Sequence, residues 1–331
     1  LIVIIKKFVT ILICNLNMGN LFIRKWTAIG LMGMLFALGS CNSTGKVEGG
    51  KQDTVEIEHK LGKTKIPKQP SRIVVLDIGA LETLHELGVT PIGIPKKFMP
   101  NYLDDLKNKT AVADVGSVIE PDFEAISALN PDLILISTRQ ERFYKELNDI
   151  APTIFIGTDN KDYLKSFERN TLLLGQIVGK EKEAKEKLAV LQEEIKQAQA
   201  KYAQDKNKAL FVLFNNGRFS AFGKGSRFGF IYDVLQFKPV MDLQDESVHG
   251  QKISNELVVE ANPDYLFIVD RNAAVLGKVA NKADVENTLI KQTKAYKNHA
   301  IYYLDPNVWF ISGGGLTSVR LMVKDIVQLV N

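Results

Sequence analysis

Cysteine is almost absent: two in 331 residues, Cys14 and Cys41, both inside the first 41 positions. The remainder of the chain therefore has no disulfide, no cysteine-ligated zinc and no cysteine nucleophile. Histidine is nearly as scarce. His59, His85, His249 and His299 are scattered, whereas a receptor for bare zinc or manganese needs several histidines and carboxylates to converge. An excess of either charge is missing too. The formal net charge of +4 comes from Lys6, Lys7, Arg24 and Lys25 in a leader with no carboxylate, which leaves 38 basic against 38 acidic residues beyond it. A neutral body gives no case for nucleic acid as a partner. Catalytic signatures are lacking as well. Gly313-Gly314-Gly315 precedes a helical pattern without the Gly-Lys-Ser/Thr of a phosphate-binding loop, and Gly223-Lys224-Gly225 lacks the full dinucleotide spacing. No serine has the Gly-x-Ser-x-Gly context, and His249 has no identifiable nucleophile. Together these absences point away from an enzyme of any kind.

What is present begins with a targeting segment. Met18 offers a better start than Leu1; Arg24 and Lys25 then precede an apolar stretch from Trp26 to Leu38, too short and wrongly flanked for a spanning helix. Leu38-Gly39-Ser40-Cys41 resembles the lipobox of bacterial lipoproteins, which implies cleavage before Cys41 and a diacylglyceryl anchor, with palmitate among its acyl chains, on that cysteine. An ordinary signal peptide that happens to contain a cysteine is the alternative. Residues 42–53 are polar and Gly-rich and read as a flexible tether. Two or more acyl chains would hold the protein at a membrane, on the outer face of the cytoplasmic membrane or in the periplasm.

Beyond the tether, short apolar runs alternate with helical patterns: Ile73–Leu76, Pro91–Ile94, Leu133–Ile136, Thr153–Ile156, Ala209–Phe214, Tyr265–Val269 and Ile301–Leu304. This predicts α/β units with mainly parallel sheets. Tyr163 to about Gln204 reads as helical almost throughout, weakened at Gly175 and Gly179, and Lys180–Gln204 predicts the longest single helix. The expected layout is a lobe over 54–178, a connecting helix over 179–205 and a second lobe over 206–331, with a last helix from about Leu316.

An internal repeat links the lobes. Glu124 precedes Asn130-Pro131-Asp132 at the same spacing as Glu256 precedes Asn262-Pro263-Asp264; each turn leads into an apolar run, and each has an arginine seven residues after its Asp, Arg139 and Arg271. From about Val55 onward the chain resembles the solute-binding lipoproteins of ABC importers for siderophores, haem and cobalamin. It is most similar to the branch that binds ferric catecholate siderophores. The stretches that carry the resemblance are Ser137-Thr138-Arg139-Gln140, Arg218 to Gly223, Ser226-Arg227-Phe228-Gly229, His249-Gly250, Val269-Asp270-Arg271-Asn272 and Asp305-Pro306 with Trp309. The resemblance implies the class III periplasmic-binding-protein fold: two α/β lobes joined by one long helix, a monomer without cofactor, and an iron(III)–siderophore cargo.

It also implies a site. An iron(III) tris-catecholate carries a charge of about 3−, and Arg suits such a ligand because it stays protonated, stacks on rings and donates several hydrogen bonds. Arg139, Arg227 and Arg271 are placed in this role, in a chain with nine Arg against 33 Lys. Arg218 flanks them, and Trp309 and Phe310 lie beside the ligand. His249 matches a histidine that ligates iron held by a four-donor siderophore, but the matching tyrosine is Phe310, which cannot ligate metal. Glu124 and Glu256 match the glutamates that dock each lobe onto the permease. Haem, cobalamin, a hydroxamate siderophore and a bare zinc or manganese ion remain as alternative ligands. The single long helix predicts a modest hinge motion on binding.

Overall fold

The buried apolar runs of the first lobe form β3, β4, β6 and β7, joined by a short, partly exposed β5 and preceded by an N-terminal hairpin: β1 (Thr54–His59), β2 (Gly62–Pro67), β3 (Ile73–Val75), β4 (Gly93–Ile94), β5 (Ala113–Asp114), β6 (Leu133–Ile136) and β7 (Thr153–Phe155). The computed structural model describes residues 53–243 and 249–330; the leader, Cys41, most of the tether and Gln244–Val248 lie outside the described residues. β3 to β7 pair in the order β5-β4-β3-β6-β7, every pair parallel. Ile73–Val75 and Leu133–Ile136 are wholly buried, as helix-covered faces require. The hairpin β1–β2 escapes an apolar-run reading because only Ile57, Thr64 and Ile66 are buried in it. Thr64 Oγ1 donates to Thr153 O at 3.1 Å, which fixes it against the first sheet.

The second lobe is built from β8 (Lys208–Asn215), β9 (Arg218–Phe222), β10 (Lys238–Pro239), β11 (Gln251–Ile253), β12 (Tyr265–Asp270) and β13 (Ile301–Leu304). Their order is β11-β9-β8-β12-β13, with β10 beside the start of β8. β8, β10, β12 and β13 run parallel, while β9 and β11 add an antiparallel edge. That edge comes from Asn216 (φ 50°) and Gly217 (φ 77°), a two-residue turn whose left-handed backbone matches the twist of a hairpin.

The repeat has an architectural meaning. Asp122 caps the helix Phe123–Ala128, and Ser254 caps Asn255–Ala261. Asn130 and Asn262 then take left-handed φ of 45° and 47°, a conformation asparagine tolerates better than most residues. Asp132 accepts from the backbone of Ser71 and Arg72, and Asp264 accepts from Lys208 N at 2.9 Å. In each lobe the aspartate thus pins the start of the neighbouring central strand, β3 in one case and β8 in the other.

The predicted helical stretch is two helices, Tyr163–Ile177 and Glu181–Tyr202, broken at Gly179 with φ +67°. The second buries Ala184, Leu188, Leu191, Ile195, Ala198 and Tyr202, one stripe at alternating spacings of four and three. Its 22 residues span about 33 Å. Lys187 Nζ meets Glu86 Oε2 of the first lobe at 2.8 Å, and Tyr202 stacks on Phe237 of the second at 4.4 Å between centroids.

The C-terminal helix, Leu316–Leu329, is a second brace that the expected layout assigned wholly to the second lobe. Val319, Met322, Val323 and Ile326 pack into the second lobe's core. Its N-terminus, however, is capped by the first lobe. Glu82, on the helix Ile78–Glu86, accepts from Ser318 N at 2.8 Å and from Ser318 Oγ, and its other oxygen accepts from Tyr102 Oη at 2.7 Å and Ser312 Oγ at 3.0 Å. One turn on, Glu86 accepts from Thr317 Oγ1 and Arg320 Nη1, both at 3.0 Å. Burial lifts the Glu82 carboxyl to about 7 against the pull of these four bonds. Gly79 and Gly315 allow the approach: a Cβ on Gly315 would overlap Gly79 O and Glu82.

Candidate functional site

The parallel strands of both sheets end at one cleft, the position where open α/β sheets place their ligands. Asp77 follows β3, Ser137-Thr138-Arg139 follow β6, Gly157–Asn160 follow β7, Arg271 follows β12 and Phe310 follows β13. Arg227 arrives on the loop after β9. The cavity between them measures about 310 Å³ and is lined by Arg139, Arg227, His249 and Trp309 together with Asp77, Tyr163 and the Ser312–Gly314 strip.

Two arginines from opposite lobes converge on one oxygen. Arg139 Nη2 donates to Phe310 O at 2.7 Å and Arg227 Nη2 donates to the same oxygen at 2.6 Å, while Arg139 Nη1 donates to Ile311 O at 2.9 Å. Phe310 sits in a π-helical turn, Asn307–Ile311, a geometry found often at functional sites. The Arg227 guanidinium is held between rings, 4.4 Å from the centroid of Phe310 and 5.0 Å from that of Phe228. Phe228 stacks on Phe211 at 4.9 Å and meets Phe222 edge-on at 4.7 Å, so the arginine rests on a rigid aromatic wall.

Electrostatics set this cluster apart. Burial, reinforced by the Arg139 and Arg271 charges, pulls the Arg227 guanidinium down to about 9, still protonated at neutral pH. Burial lowers Arg139 as well, and the Asp77 carboxylate opposes it. Neither Arg227 nor Arg271 is in a salt bridge among the described residues. Three cations gathered with one carboxylate are a ready counter-charge for an anion.

Other residues hold the wall. Gln140, fully buried, accepts from Ser137 N at 3.0 Å and donates to Val118 O, which orders the turn that carries Arg139. Trp309 Nε1 donates to Asp325 Oδ2 at 3.1 Å, and Tyr163 Oη donates to Gly313 O at 2.7 Å. Asp77, Tyr163, Gln140 and Glu82 were not singled out from the sequence. Only Gln140 carried a signal, as a neighbour of Arg139 in a quoted stretch.

The other expected site residues fall as follows. His249 is exposed at a turn and lines the cavity. Arg271 opens the helix Arg271–Leu276 behind the cap Asp270, close enough for its charge to act on Arg227, but it does not line the cavity. Arg218 is exposed at the β8–β9 turn and is absent from the wall. Glu124 and Glu256 are both exposed in the first turns of equivalent helices; Glu256 is lowered by hydrogen bonds from its own backbone and from Ser254. Among the described residues no three His, Cys, Asp or Glu gather to hold a bare metal ion, and no helix is long and apolar enough to cross a membrane.

Residues 73–308 match the family model described as periplasmic binding protein, and the chain belongs to that family. It is 40% identical over 311 residues to the petrobactin-binding protein YclQ of Bacillus subtilis, covering 92% of this chain and 96% of that one. The crystal structure of YclQ superposes with a TM-score of 0.82 at 39% identity, over 84% of this chain and 99% of that chain. The ferric-anguibactin-binding protein FatB of Vibrio anguillarum is 37% identical over 279 residues, 83% of this chain and 87% of that one. The periplasmic catecholate-siderophore binding protein VctP of Vibrio cholerae superposes with a TM-score of 0.79 at 36% identity, over 83% of this chain and all of that one. These relatives are binding proteins by name, and two others carry the name lipoprotein.

Proposed function

We propose that this protein is the solute-binding lipoprotein of an ABC importer and captures an anionic ferric siderophore, of catecholate type, in the cleft between its lobes. The observation that carries this reading is the convergence of Arg139 and Arg227, from opposite lobes, on a single oxygen acceptor, Phe310 O. Guanidinium groups do not ligate iron. They neutralise the outer oxygens of a complex whose iron is held by the chelator, so the protein binds the cargo without chemistry on it. Arg271 adds a third charge to the pair. Trp309 supplies apolar contact, while the Phe310 ring, outside the cavity lining, backs the Arg227 guanidinium. His249 is the imidazole of the cavity wall and would donate to iron only in complexes whose chelator leaves a coordination position open.

In the same proposal Cys41 carries the lipid anchor, and Glu124 and Glu256, one exposed carboxylate at the same helical position of each lobe, meet cationic residues of the permease. The two braces, Glu181–Tyr202 and Leu316–Leu329, favour a small relative motion of the lobes on loading. Titration calorimetry with ferric complexes of a catecholate, a hydroxamate and a haem, with zinc as a further probe, tests the ligand class. Tight binding of the ferric catecholate and none of the metal-free chelator is expected; binding of only haem or only zinc would overturn the reading. For the docking carboxylates, Glu124→Arg with Glu256→Arg should abolish import in cells while leaving ligand affinity within about twofold.

A further inference from the structure

Resting on the reading of the cleft as a ferric-chelator site, the structure points to a second subsite. The arginine cavity, about 310 Å³, lies at the small end of the ~300–1,000 Å³ typical of ligand pockets. An iron centre with its chelating groups fills such a volume, and the rest of the chelator must leave it. One exit is already shaped. Thr138, Gly157, Thr158 and Asn160 line the arginine cavity and also line an adjoining groove of about 630 Å³, so the two share a wall. The groove runs over the end of β7 towards the turn of the N-terminal hairpin.

Its chemistry differs from that of the cavity. Three cations border it, Lys60, Lys161 and Arg169. Lys60 reaches it from the β1–β2 turn, with its ammonium 5.2 Å from the centroid of the Phe155 ring, which forms part of the floor; it pairs with Glu141 Oε2 at 2.8 Å, an exposed ion pair of the weak kind that a ligand carboxylate can exchange with. Arg169 is exposed and in no salt bridge among the described residues. The two carboxylates of the border are engaged: Glu58 lies 3.6 Å from Lys63 Nζ, and Asp159 Oδ1 accepts from Lys161 N at 3.0 Å. A groove of this kind, cationic at its edge and apolar on its floor, fits a flexible arm that ends in an anion.

We infer that the groove bordered by Lys60, Lys161 and Arg169 binds a pendant carboxylate arm of the chelator whose iron-binding head occupies the arginine cavity. The test uses two hexadentate tris-catecholate chelators, identical except that one carries a pendant carboxylate on its backbone and the other a carboxamide. Their ferric complexes are titrated into the protein and into Lys60→Ala/Arg169→Ala. Wild type should bind the carboxylate complex roughly tenfold more tightly, since solvent-exposed charges each contribute modestly, and the double variant should bind both complexes alike. Arg169→Lys should restore much of the preference. Equal affinity of wild type for the two complexes, or an equal loss for both in the variant, overturns the subsite and leaves the proposed function standing. Failure of wild type to bind either complex overturns both.

Discussion

Arg227→Ala separates binding from folding, and the two effects have opposite signs. In the ligand-free protein the Arg227 charge is costly: burial and the neighbouring Arg139 and Arg271 draw its pKa from 12.5 to about 9, and each tenfold shift is about 1.4 kcal/mol against the charged form. Against this stand one hydrogen bond to Phe310 O, worth about 1.5–3 kcal/mol for a charged donor, and stacking on Phe310 and Phe228, worth about 0.5–2 kcal/mol. These contributions nearly cancel. Truncation should therefore leave the melting temperature of the ligand-free protein unchanged or slightly raised. With an anionic ligand bound, the charge is matched, and removing one partner of a desolvated charge pair costs about 2–5 kcal/mol. Taking about 3 kcal/mol, affinity for a ferric catecholate should fall roughly a hundredfold. Titration calorimetry and thermal unfolding by circular dichroism read the two quantities on the same samples. Affinity within twofold of wild type would remove Arg227 from the site; a fall in melting temperature with affinity intact would make it a structural residue.

Three further expectations follow from the same geometry. Because an anionic ligand raises the Arg227 pKa above the value of about 9 held in the empty cleft, affinity should be flat below that pH and decline above it; a pH series of titrations in which affinity rises beyond pH 9 would contradict this. Glu82 is raised from 4.5 to about 7, so the stability it contributes is full below pH 4.5 and lost as pH rises through 7. Relative to Glu82→Gln, wild type should lose about 3 kcal/mol of unfolding free energy between pH 4.5 and 7 and run parallel above it, read by urea denaturation across pH. Gly79→Ala places a Cβ 2.7 Å from Gly314 C, so the C-terminal helix should be displaced and the protein destabilised by about 1–3 kcal/mol; an unchanged denaturation midpoint would refute the close approach.

Much of the architecture was legible because it is written in local patterns. Apolar runs such as Ile73–Val75 and Leu133–Ile136 announce strands buried on both faces, and the Gly-free stretch after Lys180 announces the long helix. The repeated Glu…Asn-Pro-Asp segment was visible for the same reason: cap, left-handed Asn and strand-pinning Asp all lie within one short segment of the chain. The antiparallel edge was legible in principle from Asn216-Gly217, a hairpin signal that the apolar runs overshadowed. Family resemblance supplied Arg139, Arg227 and Arg271.

What sequence determined by itself, then, is the buried parallel strands, the long helix, the doubled α/β unit and the short roster of arginines in a lysine-rich chain. Tertiary structure alone decided which arginines share an oxygen, and it left Arg218 outside the cavity at the exposed hairpin turn. It alone carried Glu82 to the N-terminus of a helix more than two hundred residues away, and set Gly79 against Gly315. The physical reason is range. Periodicity, caps and turns are interactions among neighbours in the chain, whereas the pairing of a buried carboxylate with a distant helix end, or of two cations with one carbonyl, exists only after the two lobes have packed and water has been excluded from between them.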